Sequence, residues 1–405
     1  MTISQLAKTI PPSPTLKLNE TARILKELGE PVIHLGIGEP KSKTPIDAII
    51  SASAKLTTAD IKYTPSDGIP SLKKAIIRYT EENYGKVVGP ENVIVSNGAK
   101  QSLSVLLQTI ISPQEEVIIL SPHWVSYPEM VKICYGFPVI VTPEDGRFHP
   151  RMEDIDRAVT SYTRAIIVNS PNNPSGVMFS RDFIGEIVEY CEKKDIYLIM
   201  DDIYHKLIFD GKSIISCYDF TKKQTEKSKL VVINGVSKLF AMTGFRIGWA
   251  IAEKKIVEAM TNIQSATTAC PSVLLQAAAT GALGGLQSGI ESLRLTLENN
   301  RNVMITELRT IDGVTVTKPD GTFYCFPDFR AYNKSSTELS EFLLEKVRVV
   351  AVPGVEFGME GYLRLSFGGT VKEICDGIER IKWALDPNSP NEIYIGDRKL
   401  IRDWI

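Results

Sequence analysis

Seven short runs of apolar residues constrain the fold of this 405-residue chain more than any other feature. Each run is unbroken rather than alternating, which is typical of strands that are buried on both faces. Because segments of helical length separate most of them, the pattern predicts an α/β fold with a mainly parallel sheet covered on both sides. The runs lie at 93–98, 115–122, 137–143, 164–171, 197–204, 230–238 and 247–252.

The segments around these runs predict four parts of the chain. A chain of this length exceeds the size at which one hydrophobic core stops growing, so a large domain with a smaller companion is expected. After a long helix at 293–311, short strands and helices indicate a small α/β domain, and two prolines near residue 390 indicate a linker. The parts are an N-terminal arm with a small-domain segment at 1–46, a large domain at 47–290, a small domain at 291–386 and a C-terminal tail at 387–405.

Prolines dominate the predicted arm. Pro11, Pro12 and Pro14 disfavour a regular helix and predict an extended segment over residues 1–20. A helix is expected after it, from about residue 19 to residue 28.

Composition and charge argue against several classes of protein. Forty-six basic and 48 acidic residues leave a formal net charge of -2, so bulk electrostatics would not attract nucleic acid or an anionic membrane. Six cysteines without a C-x-x-C pair and four histidines predict no metal site. No apolar run approaches the ~18 residues of a membrane span, and the N-terminus lacks a targeting pattern, so we expect a cytoplasmic protein.

Lys238 is the candidate nucleophile. It follows the apolar run that begins at residue 230, and Arg246 comes eight residues later. Desolvation and a nearby guanidinium both favour the neutral amine, which can attack a carbonyl to form a Schiff base. The planar guanidinium of Arg246 also suits a phosphate. Since a lysine after a strand is usually a solvated surface residue, this hypothesis depends on partners elsewhere in the chain.

The segment SNGAKQS at 96–102 is a candidate anion site. It opens a helix directly after a strand, so backbone N–H groups of Gly98, Ala99 and Lys100 would face an anion with help from the helix dipole. The segment is neither a G-x-G-x-x-G nor a Walker loop, which disfavours a dinucleotide or a nucleoside triphosphate.

Other strands end in side chains that suit a flat, charged cofactor. A buried carboxylate such as Asp201 needs a cation, and the protonated nitrogen of a pyridoxal ring is one. Tyr204 and Asn173 could bond ring oxygens, and Trp124 could stack on the ring. A helix-capping acidic pair, a plain turn and a core tryptophan remain open as alternatives. Arg364 lies in a short apolar strand and needs an anion, either a substrate carboxylate or a structural Asp or Glu.

Taken together, these residues resemble the class I and II aminotransferases of pyridoxal-phosphate fold type I. The resemblance covers nearly all of residues 15–386. It is carried by the spacing and order of Asn173, Asp201, Tyr204, Ser237, Lys238, Gly244, Arg246 and Arg364.

The resemblance implies pyridoxal 5'-phosphate as cofactor and a role for each matching residue. Lys238 would form the Schiff base and move protons, and Asp201 would pair with the pyridine nitrogen. Arg364, the Gly38 backbone and Asn173 would bind the substrate α-carboxylate. The remaining cofactor contacts would be Tyr204 and Asn173 at the ring oxygen, Trp124 on the ring, and Gly98, Ala99, Lys100, Ser237 and Arg246 at the phosphate.

Within the family, the chain is similar to the bacterial and archaeal aspartate aminotransferases, some of which also take prephenate. Ser13 and Thr15 match an arm that closes over the substrate, and Lys100 matches a lysine that meets a distal carboxylate. Tyr63 matches a tyrosine that reaches the phosphate of a neighbouring subunit, which implies a homodimer with shared sites.

The resemblance therefore implies ping-pong transfer of an amino group between an L-amino acid and a 2-oxo acid. Aspartate or glutamate is the expected donor, and an aromatic amino acid or prephenate is an alternative. A lyase of the same fold remains open because the pocket only selects which bond breaks. A non-catalytic regulator of this fold is a further alternative, although no basic stripe accompanies the chain.

Overall fold

Two helices contain most of the described residues before residue 28, so the prediction of an extended arm is wrong for that part of the chain. A computed structural model describes residues 3–10, 14–144, 148–395 and 398–404. Pro14 occupies the first position of the second helix, where a missing N–H has little cost. The first helix is capped by the Ser4 hydroxyl. The two helices are α1 (Gln5–Thr9) and α2 (Pro14–Glu27).

One short strand and two helices come before the first strand of the main sheet. These elements are β1 (Ile33–His34), α3 (Ile46–Thr57) and α4 (Pro70–Tyr84). Alternating strands and helices follow: β2 (Val93–Ser96), α5 (Ala99–Ile110), β3 (Glu116–Leu120), α6 (Ser126–Ile133), β4 (Phe137–Val141), α7 (Met152–Ala158), β5 (Thr163–Asn169), α8 (Arg181–Lys194), β6 (Tyr197–Asp201), β7 (Leu230–Gly235), β8 (Gly248–Ile251), α9 (Lys254–Thr268) and α10 (Val273–Gly284).

Strands β2 to β8 form one seven-stranded sheet in the order β2-β8-β7-β6-β5-β3-β4. All pairs are parallel except those of β8, which runs antiparallel to both β2 and β7. Buried apolar side chains cover both faces of the sheet. The predicted α/β fold with a mainly parallel seven-stranded sheet is therefore confirmed, and each of the seven apolar runs forms one strand.

The C-terminal elements form smaller sheets packed with helices. Two-residue strand β1 pairs with β10, so the segment near residue 33 lies with these elements rather than with the main sheet. A three-stranded antiparallel sheet has the order β11-β12-β9. The elements are α11 (Ser288–Leu308), β9 (Tyr324–Cys325), α12 (Ser336–Val347), β10 (Val349–Val350), β11 (Val352–Pro353), β12 (Leu363–Ser366), α13 (Val371–Leu385), β13 (Glu392–Ile395) and β14 (Arg398–Ile401).

The tail after residue 386 folds back onto the protein as an antiparallel hairpin of β13 and β14. Trp404 then packs edge-on against Trp383 of α13 and Phe342 of α12, with ring centroids 5.5 Å apart in both cases. The indole N–H of Trp383 donates to the carbonyl of Pro390 at 2.8 Å. The tail is thus packed against two helices of the C-terminal part.

Within the described ranges, no helix combines the length and the apolar character that a bilayer crossing requires. The same part of the chain contains no group of three or more His, Cys, Asp or Glu side chains arranged to hold a metal ion.

Candidate active site

A cavity of about 1080 Å³ opens where the parallel strands end, as expected for an α/β sheet of this kind. It collects most of the predicted site residues, although they come from distant parts of the chain. Those that line it are Gly38, Ala99, Lys100, Trp124, Asn173, Asp201, Tyr204, Ser237, Lys238, Arg246 and Arg364.

Lys238 reaches this cavity from the turn that follows β7. Its Nζ donates to the carbonyl oxygen of Gly38 at 2.6 Å and lies 5.7 Å from the ring centroid of Phe323. Among the residues that the structure describes, no carboxylate forms an ion pair with Lys238. The amine is therefore held in the cavity by a neutral acceptor, which a reacting carbonyl compound can replace.

The N-terminus of α5 and Arg246 lie against each other at one end of the cavity. Gly98 has φ +88°, and a Cβ atom at this position would collide with the Arg246 guanidinium. Gly248 is required for a similar reason, because its Cβ would collide with the backbone nitrogen of Ala99. Arg246 donates to the carbonyl oxygens of Thr243 and Asn97 at 3.0 and 3.5 Å. The Arg246 guanidinium and the N-terminus of α5 thus lie next to each other, as an anion-binding site requires.

One N–H group of the predicted anion cradle has a partner within the protein. The Gly98 N–H donates to the carbonyl of Ser96 at 2.7 Å, so it is already occupied. The N–H groups of Ala99 and Lys100 lie in the first turn of α5, where no intrahelical acceptor exists. These two donors, rather than three, remain for an anion. Ser237 is buried and lines the same cavity.

Asp201 is a buried carboxylate at the end of β6. It accepts the Tyr127 hydroxyl at 2.6 Å and, more weakly, the Ile203 N–H at 3.4 Å. Burial raises the pKa of Asp201, and these hydrogen bonds and the charge of Lys238 only partly oppose this effect. No ion pair to Asp201 exists among the described residues. A ligand with a positively charged N–H would therefore satisfy this side chain.

Arg364 is a buried cation with no carboxylate partner in the described part of the chain. It is 4% exposed and donates to the Asn173 side-chain oxygen at 3.1 Å and to the Gly36 carbonyl at 3.0 Å. Its guanidinium carbon lies 4.3 Å from the ring centroid of Tyr324 and 4.9 Å from that of Phe357. Its Nε has no hydrogen-bond partner among these residues. The alternative of a structural Asp or Glu partner is thus not supported.

Lys100 and Trp124 lie together on another wall. The Lys100 Nζ is 5.0 Å from the Trp124 ring centroid, and Trp124 packs edge-on against Tyr127 at 5.4 Å. Burial, and then the charge of Arg246, lower the pKa of Lys100. Tyr204 is also buried. Its burial raises the pKa of Tyr204, and the neighbouring Tyr324 raises this pKa further. Its hydroxyl therefore stays protonated at neutral pH.

Besides Gly98, three predicted residues lie outside this group. Tyr63 is 90% exposed and does not line the cavity. Ser13 lies outside the described residues, and Thr15 falls in α2, where its side chain is not described. Their predicted roles therefore stay predictions.

The sequence analysis did not identify several other residues that lie at the cavity. Asn169 donates to the backbone oxygen of Asp201 at 2.7 Å and accepts the Asn173 N–H at 2.8 Å, which couples two neighbouring strand ends. Tyr127 was overlooked although it lies three residues after Trp124, on the first turn of α6. Tyr324 comes from β9, and no local pattern places it beside Arg364.

The fold and the arrangement of a lysine between a buried carboxylate and a helix N-terminus define a class of protein. It is the fold type I class, whose members act on amino acids with a pyridoxal phosphate cofactor.

Comparison with known proteins identifies the family within that class. The family model for aminotransferase class I and II matches residues 30–381. An aspartate aminotransferase of Bacillus subtilis is 37% identical over 395 residues, covering 96% of this chain and 100% of the relative. A probable aspartate/prephenate aminotransferase of Aquifex aeolicus is 36% identical, covering 93% and 96%. The chain therefore belongs to the class I and II aminotransferases.

Solved structures agree with this assignment. Thermus thermophilus aspartate aminotransferase with maleate superposes with a TM-score of 0.89 at 34% identity, covering 94% of this chain and 99% of that one. The Rhizobium meliloti enzyme gives a TM-score of 0.90 at 32% identity, covering 94% and 98%. The predicted family and transaminase activity are confirmed, and the comparisons give no support to the lyase or the regulator.

Proposed function

We propose that this aminotransferase moves an amino group between an acidic L-amino acid, aspartate or glutamate, and a 2-oxo acid. The observation that carries the choice of substrate is Lys100, a partly buried cation on the cavity wall that has no ion-pair partner among the described residues. A distal carboxylate would supply that partner. Relatives named aspartate and aspartate/prephenate aminotransferase support the same substrate class.

The cavity suits pyridoxal 5'-phosphate, the cofactor of this family, at both of its charged ends. When bound, the cofactor supplies an electron sink that stabilises negative charge at the substrate α-carbon. Arg246 and the Ala99 and Lys100 N–H groups would hold the phosphate at the start of α5, and Ser237, which lines the same cavity, would assist. Asp201 would accept the pyridinium N–H, which offsets its unfavourable burial. Tyr204 and Asn173 would bond the ring oxygen, and Trp124 would cover one face of the ring.

Lys238 would move the proton that the reaction requires. Lys238 lines the cavity, and the Gly38 carbonyl accepts a hydrogen bond from its Nζ. As a neutral amine it would take the proton from the substrate α-carbon and return it elsewhere, so one residue serves as base and as acid.

Arg364 would orient the substrate for that proton transfer. Its remaining donor capacity points to an α-carboxylate, and Asn173 and the Gly36 carbonyl hold the guanidinium in place. Holding the carboxylate fixes the α-carbon near the amine, so orientation contributes to the rate through entropy lost on binding. Gly38 backbone contacts would assist, and amino acid and oxo acid would use the site in turn, which gives ping-pong kinetics.

We further propose a homodimer with shared sites. Tyr63 projects into solvent, and the nearby helix α3 exposes the apolar side chains Ile46, Ile50 and Leu56. A second copy would cover this face and bring Tyr63 to its cofactor phosphate. The division into a large domain at 47–290 and a small domain at 291–386, with 1–46 and 387–405 as arm and tail, and a cytoplasmic location also stay proposals.

Spectra of the reconstituted enzyme test the substrate proposal. Aspartate and glutamate should convert the cofactor absorption band faster than alanine or phenylalanine. The Lys100→Met variant should lower kcat/KM for aspartate about tenfold, the loss expected for one charge-assisted contact, and leave alanine nearly unchanged. Lys193→Met removes an exposed lysine of α8 and serves as the control. Failure of both aspartate and glutamate would refute the proposal.

The role of Lys238 has a separate test. Borohydride reduction of the reconstituted protein should fix the cofactor on Lys238, which peptide mass spectrometry can locate. Lys238→Ala should lose both the visible absorption band and turnover. An active variant, or a label on another residue, would contradict the assignment.

A further inference from the structure

Glu356 lies in a short 3-10 turn, Gly354–Phe357, that connects β11 and β12. The second of these strands carries Arg364, which lies opposite Val352 of the first strand. Glu356 and the proposed carboxylate-binding arginine therefore belong to the same two-stranded unit. Both side chains line the active-site cavity.

Three hydrogen bonds fix the turn to two other parts of the protein, the loop after β3 and the start of α12. The His123 N–H donates to the carbonyl of Phe357 at 3.0 Å, and the Ser121 hydroxyl donates to that of Gly358 at 3.1 Å. The Val355 N–H donates to the Ser336 hydroxyl at 3.2 Å. These bonds hold the backbone on both sides of Glu356 in place next to the strand that carries Arg364.

The carboxylate of Glu356 is partly buried and uncompensated. Burial raises the pKa of Glu356, with no hydrogen bond or cation to oppose the effect. In the described part of the chain it forms neither an ion pair nor a hydrogen bond. Glu129, another acidic residue of the cavity, differs because Lys132 donates to it at 2.9 Å. A charge that loses water without gaining a partner costs free energy, which a ligand can recover.

Of the charged cavity residues, two have neither a role in the common chemistry nor an ion-pair partner in the described part of the chain. Arg246 and Asp201 fit the two ends of the cofactor, and Arg364 fits the α-carboxylate. Lys100 and Glu356 remain, and they form no ion pair with each other. The cavity therefore presents two separate lone charges of opposite sign to the variable part of its substrates.

We propose that Glu356 recognises a second amino acid substrate, one whose side chain ends in a cationic group such as an ammonium. This inference rests on the proposed function, in which two different amino acids use one site in turn. An acidic substrate pairs with Lys100 and leaves Glu356 unpaired, whereas a cationic side chain of suitable length pairs with Glu356. The two half-reactions then have different charged partners in the same cavity.

Pairs of substrates that differ only in the terminal ammonium test this assignment. Half-reactions of the reconstituted enzyme are measured with lysine against norleucine and with ornithine against norvaline, so that two side-chain lengths are sampled. At least one cationic substrate should exceed its neutral counterpart about tenfold in kcat/KM, and Glu356→Gln should remove most of that preference. The same variant should react with glutamate somewhat faster, because a like charge is gone.

Controls separate this inference from the proposed function. Glu341→Gln removes an exposed carboxylate of α12 and should leave every ratio unchanged. Reaction with aspartate is measured on the same preparations and shows that each enzyme is folded and active. If Glu356→Gln is unstable, Glu356→Ala is used to repeat the test. If aspartate reacts but neither cationic substrate is preferred, or Glu356→Gln keeps the preference, the role of Glu356 is refuted alone. If neither aspartate nor glutamate reacts, the proposed function fails instead.

Discussion

Asp202 should make the cofactor-free protein less stable as pH rises, and Asp202→Asn should remove this dependence. Asp202 is 5% exposed, directly follows Asp201, and its N–H donates to the Ile233 carbonyl at 2.9 Å. Burial raises the pKa of Asp202 to about 7 from an ordinary value of 3.8. A hydrogen bond with Tyr84 lowers this pKa, and the charge of Asp201 raises it further.

The direction of the effect follows from proton binding in the two states. The native state keeps its proton on Asp202 up to about pH 7, whereas the unfolded chain loses it near pH 4. The stabilising contribution is therefore complete below about pH 4 and is lost as pH rises to about 7. A difference of about 3 pKa units at about 1.4 kcal/mol each amounts to about 4 kcal/mol, of which about 3 kcal/mol falls between pH 5 and pH 8.

Asparagine has nearly the same shape and can accept the same hydroxyl hydrogen bond from Tyr84, but it carries no charge at any of these pH values. Urea unfolding of both proteins at pH 5, 6, 7 and 8 should show the free energy of unfolding of Asp202→Asn rising relative to wild type by about 3 kcal/mol across the range. Asp182→Asn on the exposed side of α8 should give a difference that is nearly independent of pH. A constant difference for Asp202→Asn, or one that falls with pH, would refute the reasoning.

Three further changes have definite expected results. Arg364→Lys should lower kcat/KM for aspartate about a hundredfold, because an ammonium cannot donate in parallel to a carboxylate, and steady-state kinetics would measure the loss. Gly248→Ala should weaken cofactor binding at least tenfold in a fluorescence titration, since its Cβ would collide with the Ala99 nitrogen. Gly284→Ala, at a position with open space around it, should leave cofactor binding unchanged. Trp404→Ala should lower the free energy of unfolding by about 2 kcal/mol, measured by urea titration, through lost aromatic packing.

The main sheet and the position of the cavity could be predicted because local sequence determines both. Unbroken apolar runs at helix-separated intervals specify buried parallel strands, whose carboxyl ends must meet at one edge. Asn173 follows such a run, and Asp201 and Lys238 lie within the last part of two others, so their convergence follows from the topology. Their partners could not be found in this way. Tyr324 and Arg364 are distant from the main sheet in sequence, and only the packing of the C-terminal elements brings them to it.

The two ends of the chain show where local rules were incomplete. Proline was treated as a helix breaker at every position, but Pro14 starts α2 because the first helical N–H needs no acceptor. The tail offered no readable pattern, since a four-residue strand is too short to give a clear periodicity. The tail is held in place instead by Trp404, which the hairpin brings into contact with Trp383.

The charges of the cavity relate these observations to substrate choice. Apart from the reactive Lys238, the cavity cations without carboxylate partners among the described residues are Lys100, Arg246 and Arg364, while Asp201 and Glu356 are anions without a cationic partner there. Phosphate and α-carboxylate neutralise two of the cations and are common to every substrate complex, so they cannot discriminate between amino acids. Discrimination must come from Lys100 and Glu356, which the common groups leave unpaired. A neutral side chain compensates neither charge, and it should therefore react more slowly than either an acidic or a cationic one even where its shape fits.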